Sequence, residues 1–197
     1  MKVNEIFYSL QGEGLYTGTP AVFLRLSGCN MRCWFCDTDH EQGQEMTPEA
    51  ILQALQQYPS RHIVITGGEP LMQLTPQLTT LLHQAGYFIQ IETNGTLPIP
   101  EGVSIDWVTC SPKGNTRGNA TTPIRLQHID ELKVVYEGAN QDMAPYESIP
   151  ACEYRLQPCD VKDPVRNQQI LHDTLQYLLA HPKWHLSLQT HKLLNIS

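Results

Sequence analysis

The stretch that decides the fold is Ala21-Val22-Phe23-Leu24-Arg25-Leu26-Ser27-Gly28-Cys29-Asn30-Met31-Arg32-Cys33-Trp34-Phe35-Cys36. Its first six residues read as a strand. A loop follows at once and places Cys29, Cys33 and Cys36 within eight positions, close enough to face a common centre. Thiolates in such a cluster suit zinc or an iron-sulfur centre. Structural zinc takes four closed ligands, with His40 available one helical turn past Cys36, whereas a cluster held by three thiolates leaves one iron open for chemistry.

Outward from this loop, strands and helices alternate. Thr47-Pro48 supplies a cap and a first-turn proline to a helix with Ile51, Leu52, Leu55 and Tyr58 on one face. A strand over 63–66 stops at Gly67-Gly68, and Thr75-Pro76 opens a second helix carrying Leu78, Leu81, Leu82 and Ala85, with Gly86 as its stop. Further strands are expected at 88–92, 106–110, 131–136, 154–157 and 185–188. A third helix starts at Asp163-Pro164, carries Ile170, Leu171, Leu175, Leu178 and Leu179, and ends near His181-Pro182. The polar stretches 114–123 and 138–150 are loops, because neither flank would hold a sufficient core alone. The alternation predicts an α/β fold with a largely parallel sheet. About 200 residues is too short for eight full units, so an incomplete barrel is expected, with about six mostly parallel strands and about three helices.

The chain has 197 residues, 41% of them hydrophobic and 17% charged, which predicts one ordinary globular domain over residues 1–197. Thirteen Lys and Arg against twenty Asp and Glu give a net charge of -7, with the basic residues scattered, which argues against a nucleic-acid partner. The first residues lack the apolar run of a secretory signal, and nothing approaches the roughly 18 apolar residues of a membrane span, so a cytoplasmic protein with reduced thiols is expected. Cys110, Cys152 and Cys159 are dispersed and are expected to be small buried residues.

Polar motifs recur where strands should end: Thr66-Gly67-Gly68-Glu69-Pro70, Glu92-Thr93-Asn94-Gly95, Ser111-Pro112-Lys113 and Gln157-Pro158-Cys159-Asp160. In barrels that face carries the active site. Taken alone, the paired glycines are a turn, and Thr38 after the cysteine loop is a turn residue.

The CxxxCxxC spacing, with Phe35 just before the last cysteine, resembles the signature of radical S-adenosylmethionine enzymes. Leu10-Gln11-Gly12-Glu13-Gly14, Cys36-Asp37-Thr38, Ser111-Pro112-Lys113 and Gln189-Thr190-His191-Lys192 narrow this. The set resembles the 7-carboxy-7-deazaguanine synthase family, essentially from end to end.

That resemblance implies a partial TIM-type barrel of the radical S-adenosylmethionine kind. It implies a lyase that contracts 6-carboxy-5,6,7,8-tetrahydropterin to 7-carboxy-7-deazaguanine with loss of ammonia, in queuosine and other deazapurine pathways. A [4Fe-4S] cluster on Cys29, Cys33 and Cys36 would cleave S-adenosylmethionine to a radical that takes a hydrogen from substrate and later returns it. Trp34 and Phe35 would cover the cluster.

Carried over by position, Thr38 would bind Mg2+. Leu10, Gln11, Gly12, Arg25, Thr66, Glu92, His191 and Ser197 would contact substrate. Gly68, Glu69, Ser111, Pro112, Lys113, Gln157, Pro158, Cys159 and Asp160 would contact S-adenosylmethionine. Arg25 has a planar fork that can hold the substrate carboxylate by two parallel bonds, with an edge-strand salt bridge as the lesser alternative. Glu92 and His191 are equally explicable as polar caps on strand ends. A homodimer and an external reductant such as flavodoxin are also implied.

Overall fold

The computed structural model describes residues 1–36, 38–113 and 123–196. Its strands are β1 Lys2–Leu10, β2 Pro20–Leu26, β3 Gln44–Glu45, β4 His62–Gly67, β5 Phe88–Thr93, β6 Trp107–Cys110, β7 Glu131–Tyr136, β8 Glu153–Pro158 and β9 His185–Leu186. They form one sheet in the order β3-β1-β2-β4-β5-β6-β7-β8-β9. From β2 to β9 every pairing is parallel. β1 runs antiparallel to β2, and β3 antiparallel to β1. The order is linear, with β3 at one edge and β9 at the other, so the barrel is open.

The helices are α1 Pro48–Leu55, α2 Pro76–Gln84, α3 Ala144–Glu147, α4 Pro164–Ala180 and α5 Thr190–Leu194, with a 3-10 turn at Pro70–Met72. The three long ones start as the sequence predicts. Thr47 Oγ1 accepts from Ala50 N at 3.2 Å, Thr75 Oγ1 from Leu78 N at 3.4 Å, and Asp163 Oδ1 from Val165 N at 3.0 Å, each with proline in the first turn. Among the described residues, no helix is long and apolar enough to cross a membrane.

Strand periodicity sorts the side chains into two layers. Val22, Leu24 and Leu26 of β2, Ile63 and Ile65 of β4, and Ile89 and Ile91 of β5 point outward and bury against Ile51 and Leu55 of α1 and Leu78 and Leu82 of α2. Truncating one such residue to alanine costs about 2–5 kcal/mol. The alternate residues point into the concave face. Near β1 and β2 that face is apolar, with Phe7, Ala21, Phe23 and Val64 together. Beyond them it turns polar, with Gln90, Glu92, Thr109, Glu131 and Lys133 buried or nearly so.

Several expectations need correction. β1 was not expected, although it is the longest strand: Asn4 and Glu5 interrupt its apolar alternation, and its register shifts between Val3 and Glu5. On α4 only Ile170 and Thr174 are buried, whereas Leu171, Leu175 and Leu179 are exposed, so its apolar stripe is wider than the face the sheet covers. Cys152 is exposed, unlike Cys110 and Cys159. The 138–150 stretch contains α3, which seats Tyr146 in the second core cluster. Of the expected 114–123 loop, residues 114–122 lie outside the described residues.

Candidate active site

The carboxyl ends of the parallel strands surround a cavity of about 530 Å³. Thr66 and Gly67 reach it from β4, Glu92 and Thr93 from β5, Ser111 and Lys113 from beyond β6, Lys133 and Val135 from β7, and Gln157 to Asp160 from β8. This is the face on which barrels place ligands, because loops following parallel strands converge there.

Cys29, Cys33 and Cys36 all line this cavity. Their loop is held by backbone contacts. Cys36 N donates to Cys33 O at 3.1 Å, Gly28 N to His40 O at 2.7 Å, and Glu69 N to Gly28 O at 2.9 Å. Gly67 has φ +125°, in the glycine-favouring region, and a Cβ on Gly68 would overlap Gly28 O. The paired glycines therefore let the β4 turn lie directly against the cysteine loop. Asn30 extends the attachment: its Oδ1 accepts from Asn94 Nδ2 at 2.9 Å and its Nδ2 donates to Thr96 Oγ1 at 2.8 Å.

The donor set fits a polynuclear cluster better than a single ion. Ligands of a tetrahedral zinc stand roughly 3–4 Å apart. Among the described residues the trio whose donor atoms all come within 4.8 Å of one another is His128, Asp130 and Cys152. No trio drawn from Cys29, Cys33, Cys36 and His40 is that close. His128, Asp130 and Cys152 lie at the amino ends of β7 and β8, and the Asp130 oxygens accept from His128 Nε2 at 2.9 Å and Val108 N at 2.8 Å. Of the other thiols, Cys159 also lines the cavity and Cys110 does not; burial pushes both up to about 12.

Polar groups converge elsewhere on the same cavity wall. Arg25 donates from Nε to Glu5 Oε1 at 2.6 Å and from Nη1 to Thr38 Oγ1 at 3.2 Å, with its guanidinium over the Phe7 ring. Both readings of Arg25 are thus represented, a salt bridge on one edge of the fork and a place on the cavity wall. Lys133 Nζ lies 2.6 Å from Glu13 Oε2 and 2.8 Å from Glu92 Oε2. Burial raises the Glu13 carboxyl, but the Lys133 ammonium overcomes this and holds it at about 2. For Glu92 burial prevails over Lys133, and the neighbouring Glu13 charge adds to the rise. Burial opposes the charge on Lys133, yet Glu13, Glu92 and Glu131 drive its titration well above the ordinary lysine range. Lys113 differs: burial and repulsion from Lys133 lower it, and its Nζ donates to Ser111 Oγ at 2.6 Å.

Most of the expected residues meet here. Leu10, Gln11, Gly12, Arg25, Thr38, Thr66, Gly68, Glu92, Ser111, Lys113, Gln157, Pro158, Cys159, Asp160 and His191 all line the cavity. α5 brings His191 in, because Thr190 N donates to Gly12 O at 3.0 Å. Asp160 is fixed by Lys192 at 2.9 Å, with Lys162 N and Asn167 Nδ2 also donating, which holds its carboxyl well below the usual range. Glu69 and Pro112 are not on the wall. The Glu69 carboxylate is buried and accepts from Leu71 N, Thr93 Oγ1 and Asn94 N, so it organises the strand ends from behind. Ser197 lies outside the described residues.

Sequence reasoning missed Glu13, Lys133 and Gln189 as wall residues. Glu13 and Gln189 sit inside motifs that had been singled out. Lys133 carried its own signal, as a lone cation in the apolar strand Glu131-Leu132-Lys133-Val134-Val135-Tyr136.

Comparison with known proteins agrees with this geometry. The model of the Radical SAM superfamily matches residues 24–108. A 7-carboxy-7-deazaguanine synthase from Bacteroides thetaiotaomicron is 51% identical over 195 residues, covering 99% of this chain and 98% of that protein. A protein of the same name from Burkholderia multivorans is 40% identical, covering 98% of each chain. A crystal structure of QueE from Escherichia coli superposes with a TM-score of 0.75 at 31% identity, covering 95% of this chain and 92% of that one.

Proposed function

The chain belongs to the 7-carboxy-7-deazaguanine synthase family of radical S-adenosylmethionine enzymes, and from that membership we propose how its residues divide the work of the reaction. The family reaction converts 6-carboxy-5,6,7,8-tetrahydropterin to 7-carboxy-7-deazaguanine and ammonia, a ring contraction in deazapurine biosynthesis. One observation carries the assignment to this site: a single cavity is lined both by the three clustered cysteines and by a cation and carboxylate set suited to a polar heterocycle.

Cys29, Cys33 and Cys36 hold a [4Fe-4S] cluster, which with S-adenosylmethionine supplies the one-electron chemistry when bound. The chain's own residues bind, orient and exclude water. The Gly68 backbone, which lines the cavity beside the cysteine loop, binds the amino group of S-adenosylmethionine. Ser111, Lys113 and the 157–160 segment complete the S-adenosylmethionine end. Arg25 holds the substrate carboxylate, with Leu10, Gln11, Gly12, Thr66, Glu92 and His191 around the ring. Phe7 and Phe23, stacked at 4.8 Å between centroids, give the same wall an apolar surface. A dry wall strengthens each of these polar contacts. Thr38 lends one hydroxyl to Mg2+, a cation that keeps most of its waters and needs few protein ligands. The protein acts in the cytoplasm as a homodimer and takes electrons from an external reductant such as flavodoxin.

The experiment is anaerobic reconstitution with iron and sulfide, then incubation with reductant, S-adenosylmethionine, Mg2+ and 6-carboxytetrahydropterin, with products followed by mass. Carboxydeazaguanine formed without stoichiometric deoxyadenosine supports the reading. Deoxyadenosine alone would mean a different substrate.

A further inference from the structure

We propose that Lys133 is the positioning residue of the substrate end of the cavity: its ammonium holds the Glu13 and Glu92 carboxylates side by side, so that together they offer acceptor oxygens to the donor-rich edge of a flat heterocycle. The inference rests on the substrate reading above and deepens it, because neither that reading nor the resemblance gives Lys133 a role.

Three parts of the chain meet at this one nitrogen. Glu13 comes from the loop after β1, Glu92 from β5 and Lys133 from β7, and the Lys133 side chain is only 4% exposed. Its bonds of 2.6 and 2.8 Å use one oxygen of each carboxylate. Of the other two oxygens, that of Glu92 is the more loosely engaged. Glu92 Oε1 accepts from Gln11 Nε2 and Gln90 Nε2, both at 3.3 Å, near the limit of a useful bond. Glu13 Oε1 accepts from Gln189 Nε2 at 3.0 Å. Both glutamates and the lysine line the cavity.

The ligand chemistry follows from this. A buried cation flanked by two carboxylates presents acceptors outward, not positive charge. A 2-amino-4-oxopyrimidine ring carries its N–H donors along one edge and so complements two acceptors spaced by an ammonium. Without Lys133, two buried like charges would face each other, and one would turn away or take up a proton. Glu131, Lys113 and His191 also bear on this trio, Glu131 as a third carboxylate and Lys113 as a second buried ammonium. A buried ion pair is in itself weak evidence for a stabilising role, because desolvation offsets its attraction. That is why a role in binding accounts for this trio better than one in folding.

The test uses the reconstituted holoenzyme and compares wild type, Lys133→Met and Lys133→Arg. Lys133→Met is expected to raise KM for 6-carboxytetrahydropterin by at least about tenfold, equivalent to about 1.4 kcal/mol of binding, while iron content and the Kd for S-adenosylmethionine stay at wild-type values. Its kcat/KM is expected to gain a new dependence on pH in the carboxylate range, from Glu13 and Glu92 now titrating against each other. Lys133→Arg keeps the cation, so it covers the case in which Lys133→Met does not fold. Its planar fork cannot occupy the place of a point charge, and a smaller rise in KM is expected with unchanged S-adenosylmethionine binding. Wild-type KM in a folded Lys133→Met enzyme, or in Lys133→Arg if the first is insoluble, overturns the proposal. A wild-type enzyme that does not turn the pterin over overturns the substrate reading itself, and this assignment with it.

Discussion

The Glu69 carboxylate, buried at the end of β4, accepts the backbone N–H of Asn94 at the end of β5 at 2.8 Å. The same carboxylate accepts the Thr93 hydroxyl at 2.7 Å and Leu71 N at 3.0 Å. One side chain therefore ties the glycine turn that backs the cysteine loop to the neighbouring strand end, without itself lining the cavity.

Glu69→Gln tests this clamp. The amide offers one acceptor oxygen where the carboxylate has two, and its N–H₂ group would face a donor. An unsatisfied buried group costs about 1–3 kcal/mol. Urea denaturation should show a loss in that range. A variant as stable as wild type would mean that the carboxylate is dispensable.

Gly68→Ala should act on the cluster and not on the global fold. A Cβ there would overlap Gly28 O, so the turn must move away from the cysteine loop. We expect the reconstituted variant to hold less than about half the iron of wild type while its far-ultraviolet circular dichroism is preserved, since a misplacement of about 1 Å is enough to spoil a site built to close tolerance. Full iron loading with normal S-adenosylmethionine affinity would refute this.

The sequence made the scaffold legible where local chemistry and tertiary context agree. Thr47-Pro48, Thr75-Pro76 and Asp163-Pro164 mark helix starts because cap and proline act within one turn. β2, β4 and β5 stand out because both their faces are covered. β1 escaped because it is an antiparallel strand, half exposed along its length, so its pattern is set by neighbours distant in sequence. The site was legible in the same uneven way. Cys29, Cys33, Cys36 and Gly68 lie in compact motifs, whereas the pairing of Lys133 with Glu13 spans 120 positions and depends on the assembled sheet. Glu69 is expected as a ligand contact only because it belongs to the Gly67-Gly68-Glu69 motif that the family resemblance carries over. Its inward direction is settled by Asn94, which only the fold brings near.

The cluster and zinc readings differ in what His40 does. Among the described residues, no trio that includes His40 has its donor atoms all within 4.8 Å of one another, although His40 lines the same cavity. His40→Ala should keep wild-type iron and sulfide content after reconstitution, and Cys36→Ser should lose most of it. Zinc bound stoichiometrically by the wild type, and released by His40→Ala, would reverse the assignment.

Thr38 offers a separate check on magnesium. Its hydroxyl accepts from Arg25 Nη1 at 3.2 Å, so a bound cation and the Arg25 fork would share one oxygen. Thr38→Ala should abolish stimulation by Mg2+ and lower kcat/KM by about tenfold, equivalent to about 1.4 kcal/mol of lost transition-state stabilisation. Unchanged magnesium dependence removes Thr38 from the metal.

The acid limb of stability should carry the signature of Glu13. Its carboxyl is held at about 2, below the ordinary value of 4.5. A depressed carboxyl contributes stability that is fully present above its unfolded value and is lost as pH falls through the folded one, here between about 4.5 and 2. At about 1.4 kcal/mol per unit the ceiling is roughly 3.5 kcal/mol. The measured effect should be smaller, because Glu92 is shifted upward and contributes with the opposite sign, its part falling as pH rises above its ordinary range. The same ion pair seen from Lys133 is one interaction and is not added again. Urea melts of wild type and Glu13→Gln from pH 6 down to pH 3 should show the wild type losing stability more steeply below pH 4.5. Parallel curves would mean that the pairing with Lys133 does not favour the ionised carboxylate in the folded state.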